Sequence, residues 1–122
     1  MRTPFYFLLS IALLSFSPLW AKDNLDTMEK LKTIRLPKVD FWEITFSEAI
    51  EIIRIQARLH DPEEDPRKKG VNFVMRDVRA DRPVTLTLTN ARLGSVLHKL
   101  CKISGNSMKI DKYAVIFNRV QE

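Results

Sequence analysis

Two segments of this chain carry the same apolar stripe. Phe46, Ala49, Ile50 and Ile53 form the first; Leu93, Val96, Leu97 and Leu100 repeat its spacing at a constant offset. Residues so spaced share one face of a helix. Each segment therefore predicts a short amphipathic helix with one face to bury. Helices of this length are marginal in water on their own, so other elements must cover those faces.

The rest of the chain supplies short strands for that purpose. "PVTLTLTN", Pro83 to Asn90, alternates cleanly, with Val84, Leu86 and Leu88 on one side and Thr85, Thr87 and Thr89 on the other. "TIRLPKVDFWEITF", Thr33 to Phe46, alternates with interruptions at Pro37 and Asp40. It predicts an edge strand, since proline is tolerated at a sheet edge, and then an irregular run into the first helix. "VNFVM", Val71 to Met75, predicts a short buried strand. Ser107–Asp111 and Tyr113–Asn118 predict a hairpin around Asp111-Lys112.

The first helix is expected over Ser47–Leu59, capped by Thr45 or Ser47, with Glu48 and Glu51 near its positive end and Ile52 and Ile55 widening its stripe. The second is expected over Ala91–Ser104, with Asn90 as cap and Gly105 as terminator. The order is β-α-β-β-α-β-β. The fold class is α+β, two helices packed with small mixed sheets, a pseudo-repeat of two β-α-β halves.

At the N-terminus, Arg2 precedes the charge-free run "FYFLLSIALLSF", Phe5 to Phe16, which Pro18 breaks before Ala21. This reads as a secretory signal peptide, residues 1–21, cut near Ala21. A retained anchor is the competing reading, weakened by Ser10, Ser15, Ser17 and Pro18. A polar leader, residues 22–32, follows, then a domain over 33–119 and a tail, 120–122. The chain of 122 residues has room for one domain and carries a single cysteine, which cannot form an intramolecular disulfide. The net charge is +5, with charges of both signs interspersed along the chain, which suits an acidic partner surface or a phosphate-rich envelope surface and does not by itself indicate nucleic acid. An RNA module of β-α-α-β type needs a Gly-x-x-Gly loop, and Gly70, Gly94 and Gly105 make none.

Three places could carry chemistry. "LHKLC" sets Cys101 three residues after His98, a spacing that could pair a base with a nucleophile. By helical position, however, Cys101 falls on the shoulder of the apolar stripe and His98 faces solvent, so core packing is the expectation. A metal site would need further ligands, and His60 lies beyond the other helix. The loop "HDPEEDPRKKG", His60 to Gly70, mixes acids and bases without the ligand spacing of a calcium loop and is expected to be a solvated surface loop. Neither catalytic residue, cofactor nor metal is expected.

The second half, "VTLTLTNARLGSVLHKLCKISGNSMKIDKYAVIF", resembles the short N-terminal domain shared by secretins and TonB-dependent outer-membrane receptors. The matching positions are Val84, Leu86, Leu88, Asn90, Leu93, Val96, Leu97, Leu100, Gly105, Ile110, Val115 and Ile116. "VDFWEITFSEAIEIIRIQA" with "GVNFVM" looks like the family's first strand, helix and strand. The resemblance spans roughly Thr33 to Phe117, with a His60–Gly70 loop long for the family. It implies a periplasmic, non-catalytic protein-contact module, linked to secretion or outer-membrane transport and signalling, and here without a barrel or plug. The implied partners are envelope proteins of a secretion or TonB-linked system, with the membrane reached only by association and homo-oligomerisation left open. The alternative is a small secreted enzyme or ligand carrier.

Trp42, beside Phe41, is the candidate anchor for a partner, since strand alternation lets only one of the pair face the core. Arg54 and Arg58 are candidates for a basic partner-binding helix face. The strands at Ile34–Leu36 and Val115–Phe117 are candidate sheet edges.

Overall fold

The computed structural model describes residues 27–120. The expected signal peptide, the first residues of the leader and the end of the tail lie outside the described residues. The described chain opens on a helical segment, residues 27–33 (α1), in which Leu31 is buried. There follow β1 (Arg35–Ile44), α2 (Phe46–Leu59), a 3-10 turn at Pro66–Lys68, β2 (Phe73–Met75), β3 (Val84–Arg92), α3 (Leu93–Ser104), β4 (Asn106–Ile110) and β5 (Val115–Arg119). The chain is α+β with small sheets: β1 and β3 form an antiparallel ribbon, and β2-β5-β4 form a mixed sheet with β5 parallel to β2 and antiparallel to β4.

The helix limits follow from their caps. Thr45 holds α2 in a capping box: its Oγ1 accepts from the Glu48 N–H at 3.1 Å, while Glu48 Oε1 accepts from the Thr45 N–H at 3.3 Å. Ser47 lies inside the helix. At α3 the expected cap is displaced. Asn90 belongs to β3, where its φ of +48° is one that asparagine tolerates better than most residues. Arg92 occupies the cap position without a side-chain cap bond, and the Leu93 N–H donates to the Ile34 carbonyl at 2.9 Å instead. The strand partner thus satisfies one donor that a helix start leaves open. Gly94 lets α1 end close by, since a Cβ there would stand 3.2 Å from the Leu31 carbonyl oxygen. At the other end Gly105 closes α3 in the left-handed conformation, φ +77°.

β1 is a continuous strand of 10 residues rather than a strand followed by an irregular run. Its buried parity changes from Ile34 and Leu36 to Val39 and Phe41, and the change falls at Pro37, opposite the left-handed Asn90. The Leu93-to-Ile34 bond places that pair in the hydrogen-bonded set of the ladder. The parity change also breaks the hydrogen-bond alternation: the nitrogens of Arg35 and Pro37 point away from β3, and beyond Pro37 the outward backbone groups are those of Lys38 and Asp40. Pro37 therefore costs the ribbon no ladder bond. The strand ends at a bulge between Phe41 and Ile44, where Glu43 has φ +49° and its N–H donates to Thr85 Oγ1 at 3.0 Å.

Two expectations are overturned here. Val115–Phe117 is no edge: β5 is the middle strand of its sheet. The continuous apolar run Ala114-Val115-Ile116-Phe117 fits a strand with neighbours on both sides better than a half-exposed one. Ile52 and Ile55 do not widen the buried stripe of α2; both are exposed, because the stripe of Phe46, Ala49, Ile50, Ile53 and Ala57 already fills the space over the sheets.

Both helical stripes meet in one core with the inward residues of β1, β2, β3 and β5. Phe117 is its aromatic centre, edge-on to Phe46 at 5.4 Å and tilted against Phe73 at 5.9 Å.

Candidate functional site

Trp42 stands on the solvent face of β1 and is 74% exposed, whereas its neighbour Phe41 is buried. Burial of the indole would remove a large apolar area from water, so the side chain is suited to a contact the described chain does not supply. The same face carries Lys38 and Asp40, with Thr87 Oγ1 donating to Asp40 Oδ1 across the ribbon at 3.3 Å. Beside the edge of β1, unpaired among the described residues, runs a hollow of about 250 Å³ whose apolar walls, Leu36, Val39, Phe41, Ile52 and Ile53, are joined by Lys38, Asp40 and Gln56. An open row of backbone groups next to an apolar hollow is the arrangement that strand addition uses.

The two arginines have other work. Arg54 Nη2 donates to the Phe73 carbonyl at 3.1 Å and lies 3.4 Å from Glu51, fastening α2 to β2. Arg58 donates to the carbonyls of Pro66 (2.9 Å) and Lys69 (3.2 Å), fastening α2 to the His60–Gly70 loop. The structure therefore does not gather Trp42, Arg54 and Arg58 into one patch. Trp42 belongs to the ribbon, and the arginines hold the opposite sheet and the loop.

That loop departs from its expected role as solvated surface. Asp61 is buried, and its carboxylate accepts from Lys30 Nζ at 2.8 Å, from the Gly70 N–H at 2.7 Å and from the Glu63 N–H at 2.9 Å. Lys30 also donates to the carbonyls of Lys68 and Gly70. Burial alone would raise the carboxyl pKa, but the Lys30 ammonium and the two backbone N–H groups outweigh it, and the pKa lies below its ordinary value. Asp65 caps the 3-10 turn by accepting from the Arg67 N–H at 3.0 Å.

His98 and Cys101 line one hollow of about 680 Å³ between α3 and β4. Cys101 is 5% exposed, and burial pushes its thiol up to about 11. A nucleophilic cysteine needs the opposite shift, toward the thiolate, so at neutral pH this thiol stays protonated. Cys101 is expected to resist thiol reagents in the native state, and Cys101→Ala to cost about 1 kcal/mol. Native labelling kinetics and a denaturation midpoint check both. Among the described residues, no three His, Cys, Asp or Glu side chains group as metal ligands.

One structural device went unread in the sequence. Asn106 is buried beside Gly105 and clasps the irregular 76–82 segment: Oδ1 accepts from the Arg79 N–H at 2.7 Å and Nδ2 donates to the Arg79 carbonyl at 3.1 Å. Its second amide proton goes to Ser104 Oγ at 2.9 Å, which in turn donates to the Leu100 carbonyl. An asparagine directly after a helix-ending glycine was the available signal.

Compared with known proteins, the chain matches no family model, no curated protein and no solved structure.

Proposed function

We propose that this chain is a non-catalytic protein-interaction module of the bacterial envelope, related to the short N-terminal domain of secretins and TonB-dependent receptors. On this reading it is exported by its first residues, works in the periplasm and engages an envelope protein of a secretion or TonB-linked system.

The pairing of the ribbon supports descent from two β-α-β halves. The offset that carries the first apolar stripe onto the second also carries Asp40 onto Thr87, its cross-strand partner. It carries Val39 onto Leu86 and Phe41 onto Leu88, while Val39 pairs with Leu88 and Phe41 with Leu86. A duplicated unit paired about a local two-fold would give that register.

The observation that carries the functional reading is the unpaired edge of β1, flanked by the exposed Trp42 and an apolar hollow. A partner segment lying along Lys38 and Asp40 gains main-chain hydrogen bonds there and covers the indole. Arg54 and Arg58 contribute through their charge, which favours an acidic partner and speeds encounter at low salt. A photo-crosslinking residue at position 42, activated in intact cells, should capture one predominant envelope protein. Trp42→Ala should weaken that complex by about 2 kcal/mol, roughly 30-fold, while the unfolding midpoint stays put. Capture that is diffuse, or a complex indifferent to Trp42→Ala, would overturn the reading.

A further inference from the structure

Where α1, the 61–70 loop and the β4–β5 turn meet, the surface holds a hollow of about 280 Å³ whose walls include Lys30, Arg67, Lys68, Lys69, Lys112 and Tyr113. Among the described residues, no carboxylate lines it. Two acids of the adjoining loop are accounted for. Asp61 lies beneath, spent on Lys30 and two backbone N–H groups, and Asp65 caps the 3-10 turn 3.6 Å from Arg67. Lys30 is likewise spent, on Asp61 and the carbonyls of Lys68 and Gly70, so it forms the floor and does not reach outward. Lys69 donates to the Asp61 carbonyl. Arg67 and Lys68 remain at the mouth, both exposed, and Lys112 stands opposite with its ammonium 5.5 Å from the Tyr113 ring centre.

The loop that carries these cations is built, not merely solvated. A buried ion pair is a poor source of net stability, because desolvating two charges offsets most of their attraction. What the Lys30–Asp61 pair does achieve is placement. With the Asp65 cap and the two Arg58 bonds, it holds the basic run Arg67-Lys68-Lys69 against Lys112 across the hollow. Three outward cations, Arg67, Lys68 and Lys112, crowded at one concavity repel one another unless something anionic shares them.

We propose that this hollow is a binding site for a phosphate group carried on a small organic body. The charge there exceeds what one carboxylate would answer, and lysine and arginine together suit the several oxygens of a phosphate. The volume leaves room beyond the anion, and the exposed ring of Tyr113 offers that remainder an apolar face. This goes beyond the protein-contact reading and stands independently of it, since the hollow shares no lining residue with the one beside β1.

Two sources of the phosphate are distinguished by titrating the whole protein with two probes at fixed ionic strength. One is phenyl phosphate, followed by amide chemical shifts. The other is a set of phosphatidylcholine vesicles containing phosphatidylglycerol, followed by co-sedimentation. Saturable shifts at Lys68, Lys112 and Tyr113 with phenyl phosphate assign the site to free phosphate esters; vesicle binding alone assigns it to a lipid headgroup. In either arm Lys68→Gln and Lys112→Gln should each weaken binding about fivefold, the value of one exposed charge pair near 1 kcal/mol. Arg119→Gln, on β5 beside Asp77, should leave binding unchanged. Lys68 and Arg119 are exposed and Lys112 is half-buried, with no ion pair of its own among the described residues, so the variants keep the fold. Absence of binding in both arms, or binding that Arg119→Gln weakens as much as Lys68→Gln does, overturns the proposal.

Discussion

Asp61→Ala is expected to cost about 3–5 kcal/mol, because it leaves the Lys30 ammonium half-buried without its counter-charge. For a domain whose total stability is of order 5–15 kcal/mol, that is a large part of the whole. The loss spreads beyond the pair. The Gly70 and Glu63 N–H groups lose their acceptor, and α1 loses its attachment to the loop. The double variant Lys30→Met/Asp61→Leu removes both charges and should recover much of the loss, since an apolar pair of similar volume is often no worse than a buried ion pair. Urea denaturation followed by circular dichroism measures both. A single-variant cost below about 1 kcal/mol would mean that the pair is solvated in solution.

The pH dependence follows with a definite sign. The folded Asp61 carboxyl titrates below its ordinary value of 3.8, so the folded state favours the ionised form. Its contribution is fully present above that value and is lost as the pH falls through the lower, folded one. Wild type should lose stability over that acid window more steeply than Asp61→Asn, and the two curves should draw together toward the acid end. Parallel curves would show that Asp61 does not titrate out of its ordinary range.

Lys30 and Asp61 also mark where sequence reasoning stopped. The helices were legible because a 3.6-residue period is written in consecutive residues, and Thr45 and Glu48 at capping-box spacing fix the start of α2. The inward residues of β3 were legible in the same way, through period two, which also told that only one of Phe41 and Trp42 could face the core but not which. An ion pair between the leader and a loop leaves no period, since its partners are distant in the chain and each looks like an ordinary surface charge. The same blindness affected Arg54 and Arg58. A sequence displays their charge but not the carbonyls of Phe73, Pro66 and Lys69 that receive them. Strand order was hidden too: whether Val115–Phe117 lies at an edge depends on β2 returning parallel to it, a contact between segments that share no local pattern. Asn90 misled for a subtler reason. The property that makes asparagine a good cap, its readiness to leave ordinary backbone geometry, is used two residues before the cap, in the strand opposite Pro37.

The second large effect is expected in the core, at Phe117. Its ring is wholly buried on the central strand of the mixed sheet, edge-on to Phe46 of α2 at an interplanar angle of 78° and tilted against Phe73 of β2 at 40°. Phe117→Ala should therefore cost about 3–5 kcal/mol, combining lost burial with a cavity that three different elements would have to move to fill. Phe117→Leu keeps most of the volume and should cost less, about 1–2 kcal/mol. The Phe46 contact should appear separately as coupling: the double variant Phe46→Ala/Phe117→Ala should be less damaging than the two single losses added, by about 0.5–1.5 kcal/mol, the worth of an edge-to-face pair. Leu substitutions at both positions provide the same cycle if the alanine variants fail to fold. A coupling of zero would mean that α2 and the mixed sheet are stabilised independently. The Arg54 bond to the Phe73 carbonyl and the His60–Gly70 loop would then be the principal ties between α2 and the mixed sheet.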